Sequence, residues 1–172
     1  MNIKEIKRRI SAELSCINLI GVLITAGICV ILGAIFALCG VERQRYLCFY
    51  LPKCALPSFF MVLFWGIAFA IFGAALGVLL FSRRREFCGK KEYALLLFVC
   101  ALMLSYAWIA IVYKAASLFL GILTVLVILC CLWALLSVLH RIFLLATLGI
   151  ALYGVWMIYL LYYSFALFLL NG

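Results

Sequence analysis

The chain has few of the residues on which most enzymes depend. It contains no Asp and one His among 172 residues, and charged residues make up only 11% of the sequence. Paired carboxylates, a Ser/His/Asp triad and an ionisable residue within an apolar run are therefore missing, which argues against acid–base catalysis, triad hydrolysis and ion-coupled transport. The acidic residues are predicted to lie in tails and loops: Glu5, Glu13, Glu42, Glu86 and Glu92.

Apolar residues dominate instead. They make up 72% of the chain, and the mean hydropathy is +1.38. Too few polar residues remain to cover a water-soluble surface, and the alternating segments of a membrane β-barrel are not visible. Five runs are long enough to span a bilayer as helices, so we expect an all-α integral membrane protein, a five-transmembrane-helix bundle in which residues 16–172 form a single domain. The runs cover about 16–39, 59–81, 93–113, 118–139 and 143–170.

The segment before the first run, residues 1–15, has a different pattern. Ile3, Ile6, Ile10 and Leu14 recur at helical spacing, and basic residues occupy the other faces. This pattern is typical of an amphipathic helix that lies in the membrane interface.

The basic residues are distributed unequally between the two sides of the membrane. Ten Lys and Arg flank the runs on the side of the amino terminus, against four on the other side. The positive-inside rule therefore predicts a cytoplasmic amino terminus and an external carboxyl terminus. The net charge of +9 then reflects topology and attraction to anionic lipid, so we expect a lipid bilayer and no nucleic acid as partner.

Cysteine is frequent, with nine residues, but it follows no metal-binding pattern. Cys39, Cys48 and Cys54 surround the first loop, where an external location would allow one disulfide. His140 belongs to the opposite membrane face, so no metal site is expected.

The second run carries small residues on one side. Gly66, Ala70, Gly73 and Gly77 follow each other at helical spacing, which allows another helix to approach closely. The neighbouring helix could belong to the same chain or to the second chain of a homodimer.

All four tryptophans lie within the apolar runs rather than at their ends, so we expect them to line an interior. Trp65 and Trp108 each lie about 9 Å from the first-loop side of the membrane at 1.5 Å rise per residue. A pocket of rings and hydroxyls under the first loop suits a flat apolar guest. The predicted lining residues are Trp65, Phe69, Ser105, Trp108, Tyr153, Trp156, Tyr159 and Ser164, and the predicted mouth residues are Arg43, Arg45, Lys53 and Cys54.

The order of these residues resembles the TspO/MBR family, the tryptophan-rich sensory proteins that include the peripheral benzodiazepine receptor. The family's second helix reads roughly P-x-x-x-F-x-x-x-W-x-x-x-Y-x-x-x-G, and its third carries L-N-x-x-W. A Leu-Trp pair follows in the fourth helix and a Tyr and Trp in the fifth. The matching positions here are Pro57, Met61, Trp65, Phe69, Gly73, Leu104, Ser105, Trp108, Leu132, Trp133, Ala146, Tyr153, Trp156 and Asn171.

The resemblance implies a bundle, often dimeric, that binds tetrapyrroles such as protoporphyrin or haem under the first loop without a required cofactor. In some bacterial members it implies light-dependent porphyrin breakdown, and we expect a bacterial plasma membrane. The chain departs from the family in four places: Cys54 replaces a loop Trp, Ser105 and Ser164 replace Asn, and Leu152 replaces Pro.

Two other functions stay open. The substrate-binding membrane subunit of a vitamin importer is a helical protein of similar length, but it docks through small residues spaced by four in its first helix. Here Ala26 is followed at that spacing by Val30, and Ala34 by Leu38. A purely structural membrane scaffold is the third interpretation.

Overall fold

A computed structural model describes residues 13, 17–40, 49–53, 55–81, 88–140 and 143–172. The described residues contain five long helices, each apolar and long enough to cross a bilayer. The five-helix membrane bundle expected from the sequence is thus confirmed. The helices are α1 (Leu19–Gly40), α2 (Ser58–Phe81), α3 (Cys88–Tyr113), α4 (Leu118–Leu139) and α5 (Leu144–Asn171).

Helix α3 begins earlier than its apolar run. It starts at Cys88 rather than Tyr93, so Glu92 lies in a helix and not in a loop. Lys and Glu are good helix formers and continue the helix beyond the apolar part. Lys91 also donates a hydrogen bond from Nζ to the carbonyl of Leu80 at 3.2 Å, which ties this extension to the end of α2. An apolar run locates the membrane span, not the helix end.

The five helices form a ring. Helix α1 packs against α2 and α3, α5 packs against α2 and α4, and α3 packs against α4. The order around the ring is therefore α1, α2, α5, α4, α3. Helices α1 and α2 are antiparallel, because Gly21 lies opposite Phe81 and Gly33 opposite Phe69. We call the end that carries the carboxyl ends of α1, α3 and α5 the loop end.

Small residues bring α1 and α2 into backbone contact. A Cβ placed on Gly73 would lie 2.9 Å from the Cα of Ala26, and one on Gly77 would lie 2.8 Å from the Cα of Val22. Such close approach is how helices associate in lipid, where both lipid and side chains are apolar. The partner helix belongs to the same chain, so a homodimer would need another surface.

The small-residue face predicted for α2 is used only in part. Gly73 and Gly77 meet α1, whereas a Cβ on Gly66 would find nothing within 4 Å. Ala70, between them, is half-buried. The spacing of the small residues predicted which face of α2 contacts another helix. It could not predict over what length of that face α1 remains in contact.

A carboxylate from before α1 binds the amino end of α5. Glu13 is 5% exposed and accepts hydrogen bonds from the backbone N–H groups of Leu144 and Leu145 at 2.9 and 3.0 Å. Negative charge at this end of a helix is favourable, and Phe143 provides no side-chain cap there. Apart from Glu13, the interfacial segment predicted for residues 1–15 lies outside the described residues.

Candidate ligand-binding site

Trp65 on α2 is the centre of a group of aromatic rings near the loop end. Its ring centroid lies 5.7 Å from that of Trp108 on α3 and 5.8 Å from that of Trp156 on α5. Phe69, one turn further along α2, stacks on Trp65 at 4.9 Å. Trp65 thus contacts the tryptophans of two other helices.

Tyrosines extend this group toward the end of α5. Trp156 stacks on Tyr159 with centroids 5.2 Å apart, and Tyr159 stacks on Tyr163 at 6.3 Å. The hydroxyls of Tyr163 and Tyr113 lie 3.0 Å apart and share a hydrogen bond. We call the connected tryptophans and tyrosines of this group the aromatic cluster; they are Trp65, Trp108, Tyr113, Trp156, Tyr159 and Tyr163.

Polar groups on α3 and α5 bind one another inside the bundle. Trp108 donates its Nε1–H to Ser164 Oγ at 3.2 Å. Tyr153 donates its hydroxyl to Ser105 Oγ at 2.7 Å, and Ser105 donates to the carbonyl of Ala101 at 2.6 Å. These bonds offset the cost of burying the hydroxyls and the indole N–H. The two serines that the sequence assigns to a ligand therefore have partners within the chain.

Tyr153 lies in a deeper layer than the aromatic cluster. It is fully buried and stacks on Phe72 at 4.3 Å, and Phe72 in turn contacts Phe98 at 4.8 Å. Tyr153 precedes Tyr159 by six residues, which is about 9 Å along a helix. The residues predicted to line one pocket thus occupy two layers of the interior.

A cavity of about 200 Å³ lies beside the aromatic cluster at the loop end, between α1, α2 and α3. Trp65 and Tyr113 contribute rings to its wall, and Met61 contributes a thioether. We call it the loop-end cavity. Its other lining residues are Ala37, Ser58, Val62 and Ile109.

A groove of about 270 Å³ runs between α2 and α5. Trp156 and Tyr159 line it from α5, and the rim residues Leu152 and Val155 are 60% and 66% exposed, so it opens to the outside of the bundle. We call it the α2–α5 groove. Since Trp65 borders the loop-end cavity and Trp156 borders the groove, the contact between these rings separates the two spaces. The α2 residues of the groove are Phe64, Ile67, Ala68 and Ile71, and Tyr153 completes it.

Part of the first loop is fastened to α5 at two points. The side chain of Asn171 accepts a hydrogen bond from the N–H of Tyr50 at 2.8 Å and donates one to its carbonyl at 3.1 Å. The hydroxyl of Tyr159 accepts a hydrogen bond from the N–H of Leu56 at 3.3 Å. This part of the loop therefore lies over the loop end, with Lys53 exposed. The other predicted mouth residues, Arg43, Arg45 and Cys54, lie outside the described residues.

Trp133 does not line the interior. It is 77% exposed on α4, whereas the preceding residue, Leu132, is 2% exposed. The prediction that all four tryptophans face inward is therefore wrong for Trp133. A helix that is apolar on every side gives no hydrophobic contrast between the face toward lipid and the face toward the core.

Of the seven described residues that line the loop-end cavity, only Trp65 was predicted as a lining residue; Met61 and Tyr113 are among the six that were not. Met61 precedes Trp65 by one helical turn, so its spacing offered a signal. Tyr113 follows Trp108 by five residues, which is not a same-face spacing. It reaches the site because its hydroxyl pairs with that of Tyr163 on α5.

The comparison with known families agrees with this architecture. Residues 20–170 match the model of the TspO/MBR family, and no curated protein matches the chain. The matched region begins in α1 and ends in α5. It therefore covers all five helices of the ring and all six residues of the aromatic cluster. The match supports a membrane role of the sensor or receptor type. This chain of five membrane-spanning helices belongs to the TspO/MBR family.

Proposed function

We propose that the protein is a membrane receptor or sensor that binds a tetrapyrrole, protoporphyrin or haem, in the loop-end cavity. The observation that supports this most is the position of Trp65, which borders the cavity and contacts Trp108 and Trp156 behind it. A macrocycle stacked on Trp65 gains an aromatic surface that the other tryptophans hold in place.

Binding requires the cavity to widen. Its volume of about 200 Å³ is below the roughly 300–1,000 Å³ that ligand pockets usually have. Met61, on its wall, has a flexible side chain that can repack. The described part of the loop above is held to α5 by hydrogen bonds at Asn171 and Tyr159. Rotation of Met61 would enlarge the cavity, and release of this loop would uncover the loop end.

Stacking, rather than iron ligation, is the expected source of affinity. Among the residues that the structure describes, the cavity lining contains neither His nor Cys, and the hydroxyl of Tyr113 already pairs with Tyr163. Metal-free protoporphyrin should therefore bind about as well as haem. Lys53, exposed on the loop, provides a positive charge for the propionates.

Trp65→Ala is expected to weaken the binding of protoporphyrin IX. An aromatic contact is worth about 1 kcal/mol beyond buried area, so with the lost area the dissociation constant should rise by roughly tenfold or more. The measurement is a titration of the purified protein in nanodiscs, followed by the Soret band and tryptophan quenching.

Trp133→Ala serves as the matched control, because it removes a tryptophan that faces lipid. It should leave the dissociation constant unchanged. Equal, weak and salt-independent uptake by the wild type and both variants would show that the pigment only partitions into lipid, and the proposal would be abandoned.

We also propose a bacterial plasma membrane location with the amino terminus in the cytoplasm, as the basic residues indicate. A membrane-impermeant amine reagent added to intact cells should modify Lys53 and Lys114, both exposed near the loop end, and spare Lys90 at the opposite end. Mass spectrometry of the tryptic peptides gives the result. Modification of Lys90 alone would reverse the orientation.

The importer alternative has less support from the packing. Ala26 and Gly33, small residues of α1, are directed at α2, where they meet Gly73 and Phe69. Ala26 and Gly33 are therefore used within the chain, whereas Ala34, the other alanine considered for docking, is exposed. Co-purification with a pair of ATPase subunits would nevertheless favour the importer.

A further inference from the structure

We propose that Cys100 on α3 and Cys131 on α4 form a redox site facing the bilayer, which closes to a disulfide when a quinone dissolved in the membrane accepts its electrons. Neither cysteine lines the loop-end cavity or the α2–α5 groove. The site is therefore separate from the one proposed for the tetrapyrrole.

Helices α3 and α4 run antiparallel on either side of a short connection, residues 114–117. A Cβ on Gly121 of α4 would lie 2.6 Å from Val112 Cγ2 and 3.6 Å from Trp108 Nε1. Gly121 is therefore level with Ala110, which lies midway between those two residues of α3. Gly121 follows the first residue of α4 by three positions, and Ala110 precedes the last residue of α3 by three. Residues equally far from the connection thus lie opposite each other.

This register brings the two thiols to the same depth. Cys100 precedes Tyr113, the last residue of α3, by 13 positions, and Cys131 follows Leu118, the first residue of α4, by 13. At 1.5 Å rise per residue, both lie about 20 Å from the connection and about 12 to 15 Å from the other end of their spans, inside the hydrocarbon core. Cys131 also interacts electrostatically with Cys100 more than with Cys130, its neighbour in sequence. Cys100 and Cys131 are therefore the closest pair of this cluster.

The pair is open to lipid. Cys100 is exposed and Cys131 is half-buried. The outer face of α3 around Cys100 is apolar, since Leu96, Val99 and Met103 are 60%, 45% and 51% exposed. Lipid must cover this face, so a compound dissolved in hydrocarbon reaches the thiols, whereas a water-soluble disulfide such as oxidised glutathione does not.

The depth of the pair determines what can oxidise it. The charged form of a thiol is disfavoured in hydrocarbon, so protons must leave together with the electrons. A quinone accepts both and dissolves in the bilayer. Two S–H bonds break, one S–S bond forms, and each quinone oxygen takes up one hydrogen. Two electrons and two protons thus pass from the thiols to the quinone, which becomes a quinol.

The test uses the full chain, reduced and reconstituted in nanodiscs without oxygen, with decylubiquinone as the probe. After denaturation and alkylation of the remaining thiols, trypsin leaves Cys100 in peptide 92–114 and both Cys130 and Cys131 in peptide 115–141. We expect mass spectrometry to find these two peptides linked, with a matching loss of quinone absorbance. Because a disulfide needs Cα atoms within about 7 Å, the link also measures how closely α3 and α4 approach at this depth.

Cys100→Ser and Cys131→Ser should each abolish the link. Cys130→Ser is the matched control, because it removes an exposed thiol beside the pair, and it should link like the wild type. Helical circular dichroism shows whether the variants are folded.

Three results would each overturn the site: no linked peptides in the wild type with excess decylubiquinone, a link that survives in Cys131→Ser, or linking by oxidised glutathione as fast as by the quinone. Linking that needs oxygen instead of the quinone would likewise reject the quinone as the electron acceptor. Since tetrapyrrole binding is read from the Soret band, failure of either proposal leaves the other intact.

Discussion

Gly73→Leu is expected to destabilise the protein strongly, because the new side chain would enter the backbone of a neighbouring helix. A Cβ at this position would lie 2.9 Å from the Cα of Ala26 and 2.9 Å from the Cβ of Cys29. A backbone atom cannot rotate away, so α1 must move and lose its contact with α2. Overpacking costs typically 1–3 kcal/mol, and we expect about 3 kcal/mol or more here. Thermal unfolding in a mild detergent, followed by helical circular dichroism, measures the loss.

Gly66→Leu provides the control within the same helix. The chemical change is identical, but a Cβ on Gly66 finds nothing within 4 Å. Leu is also a better helix former than Gly by up to about 1 kcal/mol, so this variant should be as stable as the wild type or slightly more so. If both variants lost the same stability, the contact between α1 and α2 would not explain the effect at Gly73.

Trp108→Ala should also lower stability substantially. Trp108 is 1% exposed, contacts Tyr113 edge-to-face at 5.9 Å and donates to Ser164. Truncation of a buried Trp costs about 3–5 kcal/mol in soluble cores. The transfer part of that cost is smaller in a bilayer, where lipid is as apolar as the core, so we expect the lower end of the range, about 3 kcal/mol. The lost packing contacts and the unpaired Ser164 hydroxyl remain.

Trp133→Ala makes the same truncation on the lipid-facing side. At 77% exposure the ring packs on little protein, so the free energy of unfolding should change by less than about 0.5 kcal/mol. Unfolding in detergent by SDS titration compares the two variants. A Trp133→Ala protein as unstable as Trp108→Ala would place Trp133 in an interface that the single chain does not show.

The fold was accessible from the sequence because membrane spans are set by length and hydropathy. The runs around Trp65 and Trp108 were long and uninterrupted, and each became one helix. Contacts outside the spans were not accessible. Nothing in the pattern links Glu13 to Leu144, or Asn171 to Tyr50, because these pairs form only when the ring of helices brings distant segments together.

The candidate site was accessible only in part, for a similar reason. The spacing of aromatic residues indicated which helices carry rings, but it did not determine how each helix is rotated about its own axis. Trp133 therefore faces outward although it was predicted to face inward. The division into two spaces depends on the contact between Trp65 and Trp156 and on the approach of Gly149 to Ala75. Both arise from side-chain packing across helices that are far apart in sequence.

The place of α5 between α2 and α4 has a consequence for biogenesis. Helix α5 follows α2 and α4 in the chain, yet the ring order places it between them. Before α5 is inserted, α1 to α4 would leave a gap between α2 and α4 that is open to lipid. Ala75, which packs against Gly149 in the finished bundle, would face this gap. Glu13 binds N–H groups that follow it by 131 and 132 residues, those of Leu144 and Leu145. This contact can therefore form only after α5 has been synthesised.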